Sequence, residues 1–226
     1  MREVVLDTET TGLDPLAGHR IVEIGCIELV NMVATGRSLQ LYLNPEMQMP
    51  IGAQDVHGLT DEFLADKPLF ADKVEELLEF IGDAQLVIHN AQFDLGFLNA
   101  ELERAGRTRL VNEYVDTVSM ARRKFPGQRA SLDALCERFS IDNAKRTKHG
   151  ALLDSELLAE VYLELSGGRQ RDLGLAPEMT GVAVSGLAVV ANRPVRPARP
   201  HAASAAELAA HAEFLKKISD PIWLKV

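Results

Sequence analysis

The sequence predicts an α/β protein: a mixed five-stranded sheet flanked by helices, followed by a flexible linker and a short C-terminal docking helix. Three observations predict it. Strand patterns gather early in the 226-residue chain, short apolar strands then alternate with helical periodicities, and the composition changes abruptly after Gly167-Gly168. A meander that gives way to alternating strands and helices makes a sheet of mixed direction with helices packed against it.

The first strand is the apolar run Val4-Val5-Leu6, which ends in Asp7-Thr8-Glu9 and turns at Thr10-Thr11-Gly12. Arg20 to Val30, rich in Ile and Val, reads as the second strand, and the alternating Leu39-Gln40-Leu41-Tyr42-Leu43 as the third, antiparallel one. Asn44 to Thr60 reads as a long connection with Pro45, Pro50 and two glycines; a loop of this length beside a site is often functional. Val74, Leu77, Leu78 and Ile81 fall on one face of a helix over Phe70 to Ile81. Leu86-Val87-Ile88 is a buried strand leading to Asn90, which reads as the N-cap of a helix over Ala91 to Ala105. Tyr114-Val115-Asp116 is the last strand, with helices near Thr117–Lys124 and Ser131–Arg138 and a long one from about Gly150 to Leu165.

The domain therefore spans 1–168. Residues 176–203 are rich in Ala, Val, Pro and Arg with Glu178 the single acid, and Pro194, Pro197 and Pro200 oppose regular structure, so this stretch reads as a flexible linker. Ser204 to Glu207 is a capping-box pattern that opens a helix within 204–226, with Leu208, Leu215 and Ile218 on one face and Trp223 beyond it.

The chain is 46% hydrophobic and 25% charged, which suits one well-filled domain plus a tail, since domains run on the order of 100–150 residues. A net charge of −9 excludes a general electrostatic binder of nucleic acid. A polyanionic substrate must be held by metals and local basic patches, or delivered by a partner. Cys26 and Cys136 stand far apart among apolar residues, which argues against a disulfide framework or a cysteine zinc site. No apolar run approaches the ~20 residues of a membrane span and no signal-peptide pattern opens the chain, so a soluble, cytoplasmic protein is expected.

Side chains alternate along a strand, so Asp7 and Glu9 share a face, where each raises the other's pKa unless a cation sits between them. Alone, the pair reads as readily as an exposed acidic turn. Asp94 falls in a first helical turn, where an acid also serves the helix dipole. Residues five apart lie about 140° round a helix, so His149 shares a site with Asp154 only from the loop before it; a His-Gly there is otherwise a mere boundary. If the four acids converge, bare carboxylates are prohibitive, whereas two Mg²⁺ or Mn²⁺ ions neutralise them and clamp a phosphate. A histidine beside them, titrating by nature near neutral pH, suits proton removal from an attacking water.

In this order, Asp7-x-Glu9, Asn90-x-x-x-Asp94 and His149-x-x-x-x-Asp154 resemble the three motifs of the DEDDh 3′→5′ exonucleases. Over about residues 1–168, the segments VLDTETTG, IVEIG, VHGLT, VIHNAQFDLGF, SLDALC, IDNAKRTKHGALLD and LAEVYL more closely resemble the epsilon proofreading subunits of bacterial DNA polymerase III. The resemblance implies a ribonuclease-H-like fold and removal of single nucleotides from a DNA 3′ end. It implies that Asp7, Glu9 and Asp154 hold metal directly, that Asp94 acts on a second metal, and that His149 is the general base. Asp7 at the strand end is the ligand placed to bridge both ions. The terminal nucleotide would meet Asp7, Thr8, Glu9, Thr10, Val56, His57, Asn90, Phe93 and Asp154, with helix-start packing an equal role for Phe93.

Arg122-Arg123-Lys124 and Lys145-Arg146-x-Lys148 read equally as a track for a strand's phosphates and as a solvated charged face. In 169–175, Gln170, Leu173 and Leu175 resemble the peptides that dock on the sliding clamp (beta). The 204–226 helix with Leu208, Leu215, Ile218 and Trp223 looks like a docking module for the polymerase catalytic (alpha) subunit, an aromatic anchor being common at such interfaces; folding back on its own domain is the alternative. A further small theta-like subunit belongs to the same expectation. The rival readings are a free-standing exoribonuclease and a non-catalytic scaffold joining clamp and polymerase.

Overall fold

A computed structural model of the chain describes residues 1–144, 146, 148–168 and 202–219. Gln170, Leu173, Leu175 and Trp223 lie outside the described residues, as does the linker over 176–203 apart from its last two residues. The chain divides into two units, Met1–Ala176 and Pro177–Val226. Among the described residues no helix is long and apolar enough to cross a membrane.

The first unit carries a five-stranded sheet: β1 (Arg2–Thr10), β2 (Ile21–Val30), β3 (Val33–Tyr42), β4 (Gln85–Ile88) and β5 (Tyr114–Asp116), in the order β3-β2-β1-β4-β5. The β1–β2 and β2–β3 pairs are antiparallel, and β1–β4 and β4–β5 parallel. β3 starts at Val33, six residues before the alternation becomes visible. Val33 to Ser38 are exposed on an edge strand, so nothing selects apolar residues there. Asn31 and Met32, both at positive φ, close the β2–β3 hairpin in two residues, as a left-handed turn requires.

Helices cover both faces. α3 (Phe70–Ile81) and α4 (Ala91–Arg104) lie on one, sharing a core of Val4, Leu6, Ile24, Leu86, Ile88, Phe97 and Leu98. On the other lie α5 (Thr117–Lys124), α6 (Leu132–Phe139) and α7 (Ala151–Leu165), around Val5, Ile27, Leu29, Val87, Leu135, Leu158 and Val161. The period of two along β1 thus divides its side chains between two cores. A third small core, of Val22, Met49 and Leu64, holds what the sequence reads as a plain connection. That connection contains α1 (Ile51–His57), and α2 (Asp61–Leu64) follows directly after it. Pro50 before α1, Gly52 within it and Gly58 after it disguise about two turns of helix as loop composition. The second unit shows α8 (Ala205–Leu215), opened by Ser204 and Glu207 as a reciprocal capping box. Leu208 is exposed and Ile218 falls beyond the last turn of this helix.

Asn90 departs from the expected N-cap. It stands at that position with φ 69° and ψ 56°, and its side chain makes no capping bond. Its backbone N–H instead donates to Asp116 Oδ1 at 3.1 Å. Asparagine tolerates the left-handed conformation, and the tight β4–α4 turn uses it for that.

One glycine determines how close α7 lies to the sheet. Gly25 pairs with Asp7 across the β1–β2 ladder and sits on the α7 face of β2. A Cβ there would lie 2.2 Å from the backbone carbon of Ala151, and the Gly25 carbonyl accepts a bond from Ser155 Oγ at 3.0 Å. Mid-strand glycine normally weakens a strand by roughly 0.5–1 kcal/mol relative to alanine, so Gly25→Ala should stabilise an ordinary site. Here it is expected to destabilise by about 2–3 kcal/mol in denaturant unfolding, because α7 and Asp154 must move away. A neutral or stabilised Gly25→Ala would show that the close approach is not required.

Candidate active site

Four acids meet at the carboxyl end of β1. Asp7 and Glu9 project from β1 on the α7 side, and Asp94 enters from the first turn of α4. Asp154 enters from the first turn of α7. Glu9, Asp94 and Asp154 are all buried and Asp7 is half-buried. His149 lies on the loop before α7, its Nδ1 3.2 Å from Asp154 Oδ2. The loop position demanded by the His149–Asp154 spacing is the one observed, with Gly150 at extended φ and ψ between them. Ligand atoms of Glu9, His149 and Asp154 lie within 4.8 Å of one another.

The electrostatics follow from burial and crowding. Burial raises Asp7 well above the usual carboxylate range, and Asp94, Glu9 and Asp154 add to the rise. Glu9 is pushed up to about 8 by burial, then by Asp154 and Glu23, with Arg146 opposing. Asp94 is pushed up to about 7 by burial, against the pull of its hydrogen bond from Thr8. Thr8 Oγ1 donates to Asp94 Oδ1 at 2.7 Å, which fixes the carboxylate and binds α4 to β1. For Asp154 burial also pushes upward, but the hydrogen bonds from Arg146 and His149 outweigh it and hold its carboxyl below the usual value. Glu23, buried and directly across the ladder from Glu9, is held by Gln40 Nε2 at 2.8 Å.

Two cavities adjoin at Thr8, Glu9 and Phe93. The smaller, about 310 Å³, contains the four acids with His89, Asp133, Arg146 and His149. The larger, about 580 Å³, is mostly apolar, walled by Thr10, Leu13, Ala17, Pro50, Val56 and His57 among others. Phe93 serves both readings of its role: it lines both cavities and packs on Phe97 at 5.0 Å between ring centroids. His57 is buried; its Nδ1 accepts the Leu59 N–H at 3.0 Å, so its proton is on Nε2. Among the described residues nothing pairs with that Nε2. Burial lowers the His57 pKa, and Lys148 and His149 lower it further; the nearby Thr10 backbone opposes them without a hydrogen bond of ordinary geometry. Asn90 lies apart, in a third cavity with His89, Asp116, Arg122 and Ser131.

The basic stretches divide. Lys124 Nζ caps α7 through the Glu164 and Leu165 carbonyls, each at 3.0 Å, and Lys148 Nζ donates to Asp55 O at 3.1 Å on α1. Arg146 turns into the acidic cavity, and Lys145 lies outside the described residues. Arg122 lines the cavity that holds Asn90. Sequence reasoning passed over Arg146, Gly25, Glu23 and the Thr8 hydroxyl as parts of the site. A glycine inside the apolar run IVEIG signals close backbone approach, whereas Arg146 carries no signal beyond its nearness to His149.

The family model described as Exonuclease matches residues 4–162. The chain is 56% identical over 174 residues to the DNA polymerase III subunit epsilon of Rickettsia felis, covering 75% of this chain and 76% of that protein. It is 49% identical to the same subunit of Rickettsia conorii over 222 residues, 96% of each chain, so the alignment runs through the tail. With the Escherichia coli subunit it shares 49% over 176 residues, 74% of this chain and 72% of the other. Exonuclease X, solved with 5′-overhanging duplex DNA, superposes with a TM-score of 0.56 at 25% identity over 73% of this chain and 90% of its own. The nuclease domain of 3′hExo, a DEDDh family member, superposes with a TM-score of 0.64 at 18% identity over 73% and 90%, a likeness of fold. Enzymes of this family use divalent metal, and the hard oxygen donors gathered around His149 fit one. The chain therefore belongs to the exonuclease family, among the epsilon subunits of DNA polymerase III, and is a 3′→5′ exonuclease.

Proposed function

We propose that the chain removes mispaired nucleotides from the 3′ end of DNA as nucleoside monophosphates, through hydrolysis with two divalent cations, Mg²⁺ or Mn²⁺. The observation that carries this reading is the meeting of Asp7, Glu9, Asp94 and Asp154 with His149 beside a cavity of nucleoside size. Asp7, Glu9 and Asp154 would hold metal directly, with Asp7, which faces all three other acids, between the two positions. Asp94, steadied by Thr8, would serve the second. When bound, such a pair of cations stabilises the attacking and leaving oxygens of an in-line displacement.

The chain's own residues do the rest. His149 takes a proton from the attacking water; the water oxygen bonds to phosphorus, and the bond from phosphorus to the O3′ of the preceding nucleotide breaks. The terminal base lies in the apolar cavity against Phe93 and Val56, with Thr8 and Thr10 along its wall. His57 Nε2–H, buried and unpaired among the described residues, donates to an oxygen of the terminal sugar. Asn90 and Arg122 meet the strand upstream of the scissile phosphate.

The remaining chain would tether this nuclease to the replication machinery. On this reading 1–168 is the nuclease domain, Gln170, Leu173 and Leu175 in 169–175 bind the sliding clamp (beta), and 176–203 is a linker. Leu208, Leu215, Ile218 and Trp223 in 204–226 dock on the alpha subunit. A theta-like subunit completes the set of partners. The 49% identity to the R. conorii subunit over 96% of both chains supports this layout against a free-standing exoribonuclease.

With Mg²⁺, purified protein is expected to release nucleoside monophosphates from a mispaired 3′ end, and His149→Ala to lower the rate roughly 10²–10⁴-fold while still binding metal. No metal-dependent release by wild type would end the catalytic reading, and a loss below tenfold would remove His149 from the base role.

A second expectation concerns pH. Glu9 at about 8 and Asp94 at about 7 stand above their ordinary values of 4.5 and 3.8. The unfolded chain loses these protons first, so between roughly pH 4 and 8 the folded state binds more protons and stability falls as pH rises. In EDTA the unfolding free energy should drop by more than ~1 kcal/mol from pH 5 to 8, and Mg²⁺ should restore it. A flat profile in EDTA would contradict the crowding of charges.

Deleting residues 204–226 should spare nuclease activity and abolish co-elution with the alpha subunit; retained co-elution would refute the docking role.

A further inference from the structure

Arg146 belongs to none of the three acidic motifs, yet it turns its guanidinium into their midst. Nε donates to Asp154 Oδ1 at 2.6 Å and Nη2 to Asp154 Oδ2 at 2.7 Å, a two-pronged fork on one carboxylate. Nη2 also lies 2.7 Å from His149 Nδ1, and Nη1 donates to Asp133 Oδ1 at 2.6 Å. Its side chain is 7% exposed. Among the described residues it is the one lysine or arginine ion-paired with any of the four acids. An arginine cannot accept a hydrogen bond and an ionised carboxylate cannot donate one, so His149 Nδ1 serves either Arg146 as acceptor or Asp154 as donor, not both at once.

Two consequences follow. A divalent metal must reach an Asp154 oxygen at ~2.0–2.1 Å, and both oxygens already receive the guanidinium. Two cations thus compete for one buried carboxylate, and they repel each other at this range. The nitrogen of His149 that faces Asp154 is engaged by the same guanidinium, so Arg146 restrains the metal ligand and the general base together.

We propose that Arg146 is a positioning residue that holds Asp154 and His149 in register and yields Asp154 to the divalent metal, so that metal binding and release of the arginine fork are a single exchange. The proposal rests on the reading of Asp154 as a metal ligand. The arginine stands on the loop between α6 and α7, its backbone N–H bonded to Asn143 O at 2.9 Å, so its side chain leaves without movement of either helix. Asp133, on α6 and 60% exposed, retains Nη1 at the rim of the cavity and gives the displaced guanidinium a partner. A single positive charge cannot neutralise four acids, and the fork engages one of them. The fork therefore serves as a weak stand-in for a doubly charged ion.

The test is a titration of the full-length protein with Mn²⁺ alone, followed by electron paramagnetic resonance, with thermal unfolding in EDTA and in Mn²⁺. Arg146→Met, which keeps the length and removes the charge, is expected to bind Mn²⁺ about tenfold more tightly than wild type. It should unfold at a lower temperature than wild type in EDTA and approach it in Mn²⁺. Arg146→Lys, charged but unable to fork, should fall between. Unchanged or weaker Mn²⁺ binding by folded Arg146→Met overturns the exchange. If that variant does not fold, Asp133→Asn removes the partner of the displaced guanidinium and should weaken Mn²⁺ binding about twofold; a folded Asp133→Asn with unchanged or tighter binding overturns it equally. Asp154→Asn separates the two readings. If wild-type Mn²⁺ binding survives that change, the metal-site assignment fails; if it is lost while Arg146→Met leaves affinity unmoved, the exchange alone fails.

Discussion

The mutual repulsion of four carboxylates at the end of one strand is the constraint on which the rest of the structure depends. Asp7, Glu9, Asp94 and Asp154 occupy a partly closed cavity where water screens them poorly. Left to themselves they would swing apart or take up protons: burial first and crowding second raise Asp7 and Glu9, and burial raises Asp94. Each therefore needs a rigid support. Strand β1 supplies it for Asp7 and Glu9, the Thr8 hydroxyl for Asp94, and the Arg146 fork for Asp154. The same repulsion makes the site a receptor for small, highly charged cations, which turns a folding liability into the source of the catalytic field.

The layered fold provides the only place where such a cluster can be assembled. α4 and α7 lie on opposite faces of the sheet, so their side chains meet only around the ends of the strands. The parallel pairing of β1 with β4 brings the N-terminus of α4 beside Asp7, and Gly25 lets the N-terminus of α7 down onto the other face. An ion pair and a hydrogen bond keep these elements from drifting. Arg20 grips the buried Glu101 of α4 with Nε at 2.6 Å and Nη2 at 2.9 Å, and Tyr162 of α7 donates to the buried Glu3 of β1 at 2.7 Å. Both helices that deliver acids are thereby tied to the strands at the start of the chain.

How legible this was in the sequence depended on whether a feature left a periodic or compositional trace. The strands β1, β2 and β4 leave apolar runs because both of their faces are buried, α3 shows a period of 3.6 because one of its faces is, and the acidic motifs stand at the ends of such elements. Where burial does not discriminate, the trace vanishes: Val33 to Ser38 of β3 lie on an exposed edge, and α1 is too short and too rich in Gly and Pro neighbours to show a face. Asn90 looked like a cap because its side chain is of the capping type, but the turn exploits its tolerance of positive φ instead. Arg146 was read as a solvated charge or a phosphate contact, since a loop arginine in a basic stretch carries no mark of the carboxylate it will meet. Pairings of that kind are created by the tertiary structure alone.

Gly25 has a consequence for the life of the molecule before it is finished. β1 and β2 leave the ribosome early, carrying Asp7, Glu9 and the glycine that awaits α7, whereas α7 is the last helix of the unit to be made. A nascent chain holds three of the four acids but has no Asp154, no His149 and nothing seated on Gly25. With the roles proposed for Asp154 and His149, translation order withholds nuclease activity until α7 has been made.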